Sequence, residues 1–353
     1  MPMGGTVPAL RYVPYGALAG RPNVVVDGSP TAGTVLCLSH WPGTDVPPDL
    51  AADLSAEMAL DYLGTFDRHG AADAVSNNHF DQDGLVGVFA LVCPDEALPR
   101  RDLLAEVARA GDFATTSSRT AARVSMALAA YADPARTPLT ALPTDYGELT
   151  ALFYTELLGR LPELCDHPER CRALWAEEDA VLQASEAAIA SGAVTIEEVP
   201  DLDLAVVTVP ERAPRGGGHR FGDAWVAGLH PMAVHNATER TALLTVRGGR
   251  RTLEYRYESW VQFRSRPVRP RVDLAPLAVR LTEAEVASAA GGARVGRAGG
   301  AVTWQVEPVS SLTPTLAPAD GAESGLEPGA LRTLVEEHLR AAPPAWDPFA
   351  TAG

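Results

Sequence analysis

The sequence predicts an α/β fold: a parallel-sheet N-terminal domain, a helical linker, and a smaller, strand-rich α+β C-terminal domain. Three observations carry this expectation. The run Thr34–His40 is consecutively apolar rather than alternating, so it reads as a strand buried on both faces, as in a parallel sheet, and Asn23–Gly28 is a compact strand before it. Residues 118–132 and 145–192 are rich in the Ala, Leu and Glu that favour long helices. After Gly192 the composition changes to β-branched runs punctuated by glycine turns. At 353 residues the chain exceeds what one hydrophobic core ordinarily serves. The composition shifts place an α/β domain at 1–135, a helical linker at 136–192, a second domain at 193–317, and a tail with one helix at 318–353.

In order along the chain, residues 1–22 are rich in Gly and Pro and read as an irregular arm. The first strand ends in the Asp27-Gly28 turn, and the second ends at His40, before Trp41-Pro42-Gly43. Leu50, Leu54, Met58 and Tyr62 recur at helical spacing. Ala74-Val75 is a third strand, and Leu85–Leu91 is the apolar body of a helix. Asp95–Ala110 continues as helix and stops at Gly111-Asp112-Phe113. In the second half, Val194–Glu197 and Leu202–Val209 read as strands. Ala242–Val246 and Thr252–Tyr257 form a hairpin about Gly248-Gly249. Trp260–Arg266 reads as a further strand, and Val272–Ala278 as the start of a short helix. A glycine-rich segment, Gly291–Gly300, leads to a last strand at Val302–Val306, and a helix falls near Leu331–Leu339.

Composition narrows the function. The net charge is −16, with the acidity spread along the chain, which argues against binding long nucleic acid. Every basic side chain of the Lys/Arg type is Arg, and one local arginine cluster would suffice for a small phosphorylated substrate. Cys37, Cys93, Cys165 and Cys171 form no CxxC pair, so no zinc knuckle is expected. The start of the chain lacks a basic, apolar leader pattern, and no apolar run is long enough to span a membrane. A cytoplasmic protein is therefore expected, with no membrane partner; a homodimer is left open.

The most informative stretch is His79-Phe80-Asp81-Gln82-Asp83-Gly84, a polar loop between two apolar segments at the end of a strand. Alternate residues of an extended segment point the same way, so His79, Asp81 and Asp83 could face one point. A histidine with carboxylates suits Mn²⁺ or Mg²⁺, or Zn²⁺. Open α/β sheets bind ligands at the carboxyl ends of their strands. His40 ends a neighbouring strand and is a candidate ligand, acid or base; Asp112 is a candidate further ligand or a helix-end aspartate. The expected metal set is His79, Asp81, Asp83 and Asp112, and the expected catalytic set His40, His79 and Asp83. In the second half, Arg264 and Arg266 would share one strand face and could hold a phosphate or carboxylate. His235 and Asn236 form a polar pair that could contact substrate.

This loop resembles the first motif of the DHH phosphoesterase superfamily. A second likeness follows in Phe263-Arg264-Ser265-Arg266, Val272–Ala278 and the glycine pairs Gly291-Gly292 and Gly299-Gly300, which are similar to that superfamily's accessory substrate-binding domain. The chain as a whole resembles an uncharacterised bacterial family of unknown function. The superfamily resemblance implies Mn²⁺- or Mg²⁺-dependent hydrolysis of a small phosphorylated substrate or nucleotide. Two other readings stay open: a metal enzyme of different chemistry in a biosynthetic pathway, and a non-catalytic ligand-binding protein lacking the metal cluster. No His-His pair occurs in the chain, which is why the last is retained.

Overall fold

A computed structural model describes residues 9–64, 68–70, 72–211, 228–290 and 302–350. The chain divides into two compact units, residues 1–180 with 352–353, and 181–351.

The first unit is built on a four-stranded parallel sheet. Its strands are β1 (Arg11–Tyr12), β2 (Asn23–Val26), β3 (Thr34–Leu38) and β4 (Ala74–Ser76), in the order β1-β4-β2-β3. β2 and β4 lie at the centre, and Val24, Val25, Val26, Ala74 and Val75 are fully buried. That two-sided burial is why these runs do not alternate. Each such valine stabilises the sheet by ~2 kcal/mol. The arm expected to be irregular supplies β1, which pairs with β4 through Arg11–Ala74 and Tyr12–Val75.

Helix α1 (Ser55–Tyr62) links β3 to β4, and α2 (Gln82–Val92) follows β4 directly. α2 is buried from Gln82 to Leu91, as its nearly unbroken apolar sequence requires. Gly87 lets it sit close to the sheet: a Cβ there would meet Val26 Cγ1 at 2.4 Å. α3 (Pro94–Ala97) and α4 (Arg101–Asp112) come next; α4 packs on α2, and α5 (Arg119–Ala132) packs on α4. α6 (Tyr146–Leu157), α7 (Leu161–Asp166) and α8 (Arg172–Ala190) complete the helical section. Asp179, near the middle of α8, is buried and receives Arg119 and Arg123 of α5, each at 3.0 Å.

The second unit is a six-stranded mixed sheet: β5 (Thr195–Val199), β6 (Leu204–Thr208), β7 (Ala242–Arg247), β8 (Arg250–Tyr255), β10 (Trp304–Val306) and β11 (Thr315–Pro318). The order is β10-β11-β8-β7-β6-β5, and the expected hairpin is present, with Arg247 opposite Arg250 and Gly248 in the left-handed region at φ 57°. One sheet face buries Leu204, Leu244, Leu253 and Tyr255 against α10 (Ala275–Ala290) and α11 (Pro328–Ala341). The opposite face buries Ala205, Val207 and Leu243 with Leu229 and Val234. β9 (Arg271–Val272) pairs with β12 (Pro344–Trp346) in a separate two-stranded sheet.

Two expectations fail here. Trp260–Arg266 is not a strand: a 3₁₀ turn at Tyr257–Ser259 leads into irregular chain, whose Pro267 and Pro270 donate no backbone hydrogen bond. The sequence around Trp225–Thr238 also suggests histidines near strand ends, but His230 and His235 bound a short helix, α9 (Pro231–His235), and His230 Nδ1 caps it by accepting from the Met232 N–H at 3.1 Å. The glycine-rich segments Gly216–Gly218 and Gly291–Gly300 lie outside the described residues. Among the described residues, no helix is long and apolar enough to cross a membrane.

Candidate metal centre

The carboxyl ends of β2, β3 and β4 lie side by side, because β2 sits between the other two. Each strand delivers a ligand-type side chain just past its end. β2 ends at Asp27, which is 1% exposed and adopts the left-handed backbone at φ 51°. Aspartate tolerates that conformation better than most residues, and such strain concentrates at functional sites. Two residues past β3 stands His40, 0% exposed. Its Nδ1 lies 2.5 Å from the Asp53 carbonyl oxygen. Donation to that oxygen turns Nε2 toward the carboxylates, at 3.4 Å from Asp27, 3.9 Å from Asp83 and 3.4 Å from Asp112. A backbone carbonyl orienting the far ring nitrogen is the usual support of a metal-ligating histidine. Beyond β4, His79 Nε2 lies 2.9 Å from Asp81 and 3.3 Å from the second oxygen of Asp27.

The local folding of the loop explains the remaining ligands. Asp81 is the N-cap of α2 and accepts from the Gly84 N–H at 2.8 Å. Asp83 falls in the first turn of α2, and both of its oxygens take backbone N–H groups at the start of α1, Ser55 and Ala56, each at 2.8 Å. The helix end favours negative charge there. The Ser55 hydroxyl donates to Asp27 at 2.9 Å. Gly84 must be glycine, since a Cβ would meet Asn77 Nδ2 at 2.2 Å and the Tyr154 hydroxyl at 2.7 Å. Asp112 closes the cluster from the last residue of α4.

His79, Asp81 and Asp83 therefore do not converge as an extended strand would make them. Helix α2 starts inside the loop and divides them. Asp27, His40 and Asp83 form one set able to hold a cation; Asp27, His79 and Asp81 form another. Asp27 belongs to both. Asp112 approaches His40 but lies outside either set.

Over residues 8–350 the chain matches a family of unknown function (DUF6687). It belongs to that family. No curated protein and no solved structure matches it.

Gathering four carboxylates around two imidazoles distorts their acidities. Burial opposes ionisation of Asp27, but hydrogen bonds from His40 and His79 more than reverse it and hold the group well below the usual carboxylate range. Burial also opposes charge on His40, yet Asp27 and Asp83 raise it to about 9. His79 is raised to about 12, with Asp81 and Asp27 outweighing burial. For Asp83, burial and then the Asp27 charge push the carboxyl up to about 8. Burial, Asp83 and Asp81 push Asp112 well above its ordinary value. Oδ2 of Asp112 is buried and receives no hydrogen bond among the described residues, with His40 Nε2 3.4 Å away. Carboxylate oxygens and imidazole nitrogens that converge in this way are able to take a cation.

Asp27 is the residue that sequence reasoning missed. Its Asp-Gly pair reads as a turn, although it follows an apolar strand just as His40 does. The second-half candidates fall in the other unit. Arg264 and Arg266 stand on irregular chain and line a cavity there, while the half-buried His235 and exposed Asn236 at the end of α9 do not line it.

Proposed function

We propose that this chain is a metal-dependent hydrolase, most simply a phosphoesterase acting on a small phosphorylated substrate or nucleotide. One observation carries the proposal: the buried Asp27 is shared by two His/Asp sets, one buried and one half-buried, at the ends of adjacent parallel strands. His40 and Asp83 would hold one divalent ion with Asp27, and His79 and Asp81 a second. The all-nitrogen-and-oxygen donor set suits Mn²⁺, Mg²⁺ or Zn²⁺. Such an ion lowers the pKa of a bound water and offsets charge on a phosphoryl oxygen. The protein's part is positioning. Asp53 fixes the His40 ring, the start of α1 fixes Asp83, and Ser55 fixes one oxygen of Asp27. Asp112 Oδ2, beside His40 Nε2, is placed to hold or pass a proton. The choice of phosphoesters rests on the likeness of the His79–Gly84 loop to the DHH phosphoesterases.

Titration of the metal-stripped chain with MnCl₂, MgCl₂ and ZnCl₂, followed by elemental analysis, tests the reading. The wild type should retain metal, and Asp27→Asn should weaken binding by ~100-fold or more. If the wild type takes up no more metal than Asp27→Asn, the cluster is a self-compensating ion-pair network and the hydrolase reading fails. Given metal uptake, the loaded chain should hydrolyse a member of a panel of phosphomonoesters, phosphodiesters and dinucleotides. Inertness toward the whole panel would point to a metal enzyme of different chemistry.

A further inference from the structure

The second unit contains a cavity of about 470 Å³, within the range of small-ligand sites. Its walls are the irregular chain from Glu258 to Pro270 and the segment Asp347–Phe349. Much of the lining is apolar, including Val261, Phe263 and Phe349. Charged side chains interrupt it, Glu258, Arg264, Arg266, Arg269 and Asp347, and two of them are short of a partner within the cavity wall.

The first is Glu258, 3% exposed. Its Oε1 takes the buried Arg256 guanidinium at 2.5 Å, but its Oε2 is buried and has no hydrogen-bond partner among the described residues. A buried carboxylate oxygen without a donor is uncommon in native proteins and usually marks a missing partner. The second is Arg266, whose Nη2 stops 3.9 Å from Glu258 Oε1 and whose guanidinium lies 5.1 Å from the Phe263 ring centre. This pair is close but not closed into a hydrogen bond. Arg264 adds a further cation to the wall, seated over the Phe349 ring at 5.1 Å.

We propose that this cavity binds an α-amino acid with an apolar side chain. Such a ligand carries an ammonium and a carboxylate on one carbon, matching the spacing of Glu258 and Arg266. Its ammonium supplies the donor that Glu258 Oε2 lacks, and its carboxylate lies against Arg266 and Arg264. The side chain packs on Val261, Phe263 and Phe349. An inorganic oxyanion would satisfy the arginines but set its charge against Glu258. A simple amine would satisfy Glu258 but face two guanidinium groups. The inference uses none of the metal-centre residues and stands or falls apart from that reading.

Calorimetric titration of the full chain is the test, with L-phenylalanine and L-leucine as ligands. The comparison compounds are 3-phenylpropionate, which lacks the ammonium, 2-phenylethylamine, which lacks the carboxylate, and inorganic phosphate. At least one amino acid should saturate at one per chain, with a Kd below ~1 mM. Each comparison compound should bind more weakly by about tenfold or more, since each forgoes a charged hydrogen bond. Arg266→Met should weaken the amino acid by about the same factor. Glu258→Gln also deprives buried Arg256 of its charge partner, so the compound series and Arg266→Met carry the test without it. The proposal is overturned if neither amino acid saturates, if 3-phenylpropionate, 2-phenylethylamine or phosphate binds as tightly, or if folded Arg266→Met binds as the wild type does.

Discussion

Charge is buried in both units, but it is disposed differently. In the first, Asp27, Asp81, Asp83 and Asp112 crowd around His40 and His79, so like charges meet, and Asp112 Oδ2 receives no hydrogen bond among the described residues. In the second, fully buried Arg271 donates to Ser259 Oγ at 2.8 Å and to the carbonyls of Val309, Ser311 and Leu312 at 3.2, 2.6 and 2.6 Å. Those carbonyls lie on the segment between β10 and β11, so one guanidinium ties irregular chain to β9. A buried charge whose hydrogen bonds are met serves the architecture. A cluster that concentrates like charge without meeting its acceptors is destabilising as it stands, and that is the signature of a site arranged for something else.

The contrast can be broken first at Arg271. Arg271→Met removes four hydrogen bonds, three of them to part-buried carbonyls, and should destabilise the second unit by roughly 2–3 kcal/mol. Hydrogen exchange should show lost protection in β9 and β12, with metal uptake unchanged. A neutral result would remove the architectural half of the comparison.

Glu254 sharpens it next, as a second-unit group that does not fit the pattern. It sits in β8 opposite Leu243 and Thr315, and burial raises its carboxyl from 4.5 to about 7. The folded chain then holds this proton more tightly than the unfolded chain. The associated stability is complete below pH ~4.5 and is lost as pH rises through about 7, a change of about 3 kcal/mol. Urea midpoints taken across that window should fall with pH in the wild type and fall less in Glu254→Gln. Parallel profiles would show that another group carries the dependence.

The smallest expected effect has the opposite sign. Asp112→Asn removes from the first-unit cluster the carboxyl whose ionisation burial and its neighbours most oppose, while keeping its shape. The metal-free chain should gain ~1 kcal/mol, the common trade between function and stability. Thermal melts in chelator would show it, and a loss of stability instead would make the cluster ordinary architecture.

How much of this was legible from residues can be judged element by element. The compact apolar runs located β2 and β3, and Gly248-Gly249 the β7–β8 hairpin, because such patterns act over a few neighbouring residues; β3, expected to be buried on both faces, is instead an edge strand with Val35 exposed. His40 and Asp112 are legible as polar residues closing an apolar segment, and His79, Asp81 and Asp83 as alternate ligand-type residues of one loop. Asp27 met the same criterion and was passed over because an Asp-Gly pair is also an ordinary turn. Arg264 and Arg266 lie on irregular chain despite the β-forming residues before them, because Pro267 and Pro270 cannot donate to a sheet ladder.

By itself, then, the sequence determined an α/β first half, a strand-rich second half and a loop of ligand-type side chains, since periodicity and composition are local properties. Tertiary structure alone decided that Asp27 joins His40 and Asp83 on one side and His79 and Asp81 on the other. That outcome depends on β2 lying between β3 and β4 and on α2 starting at Gln82. Neither is written in the spacing of the residues, because strand order is set by which apolar faces pack together across the whole unit.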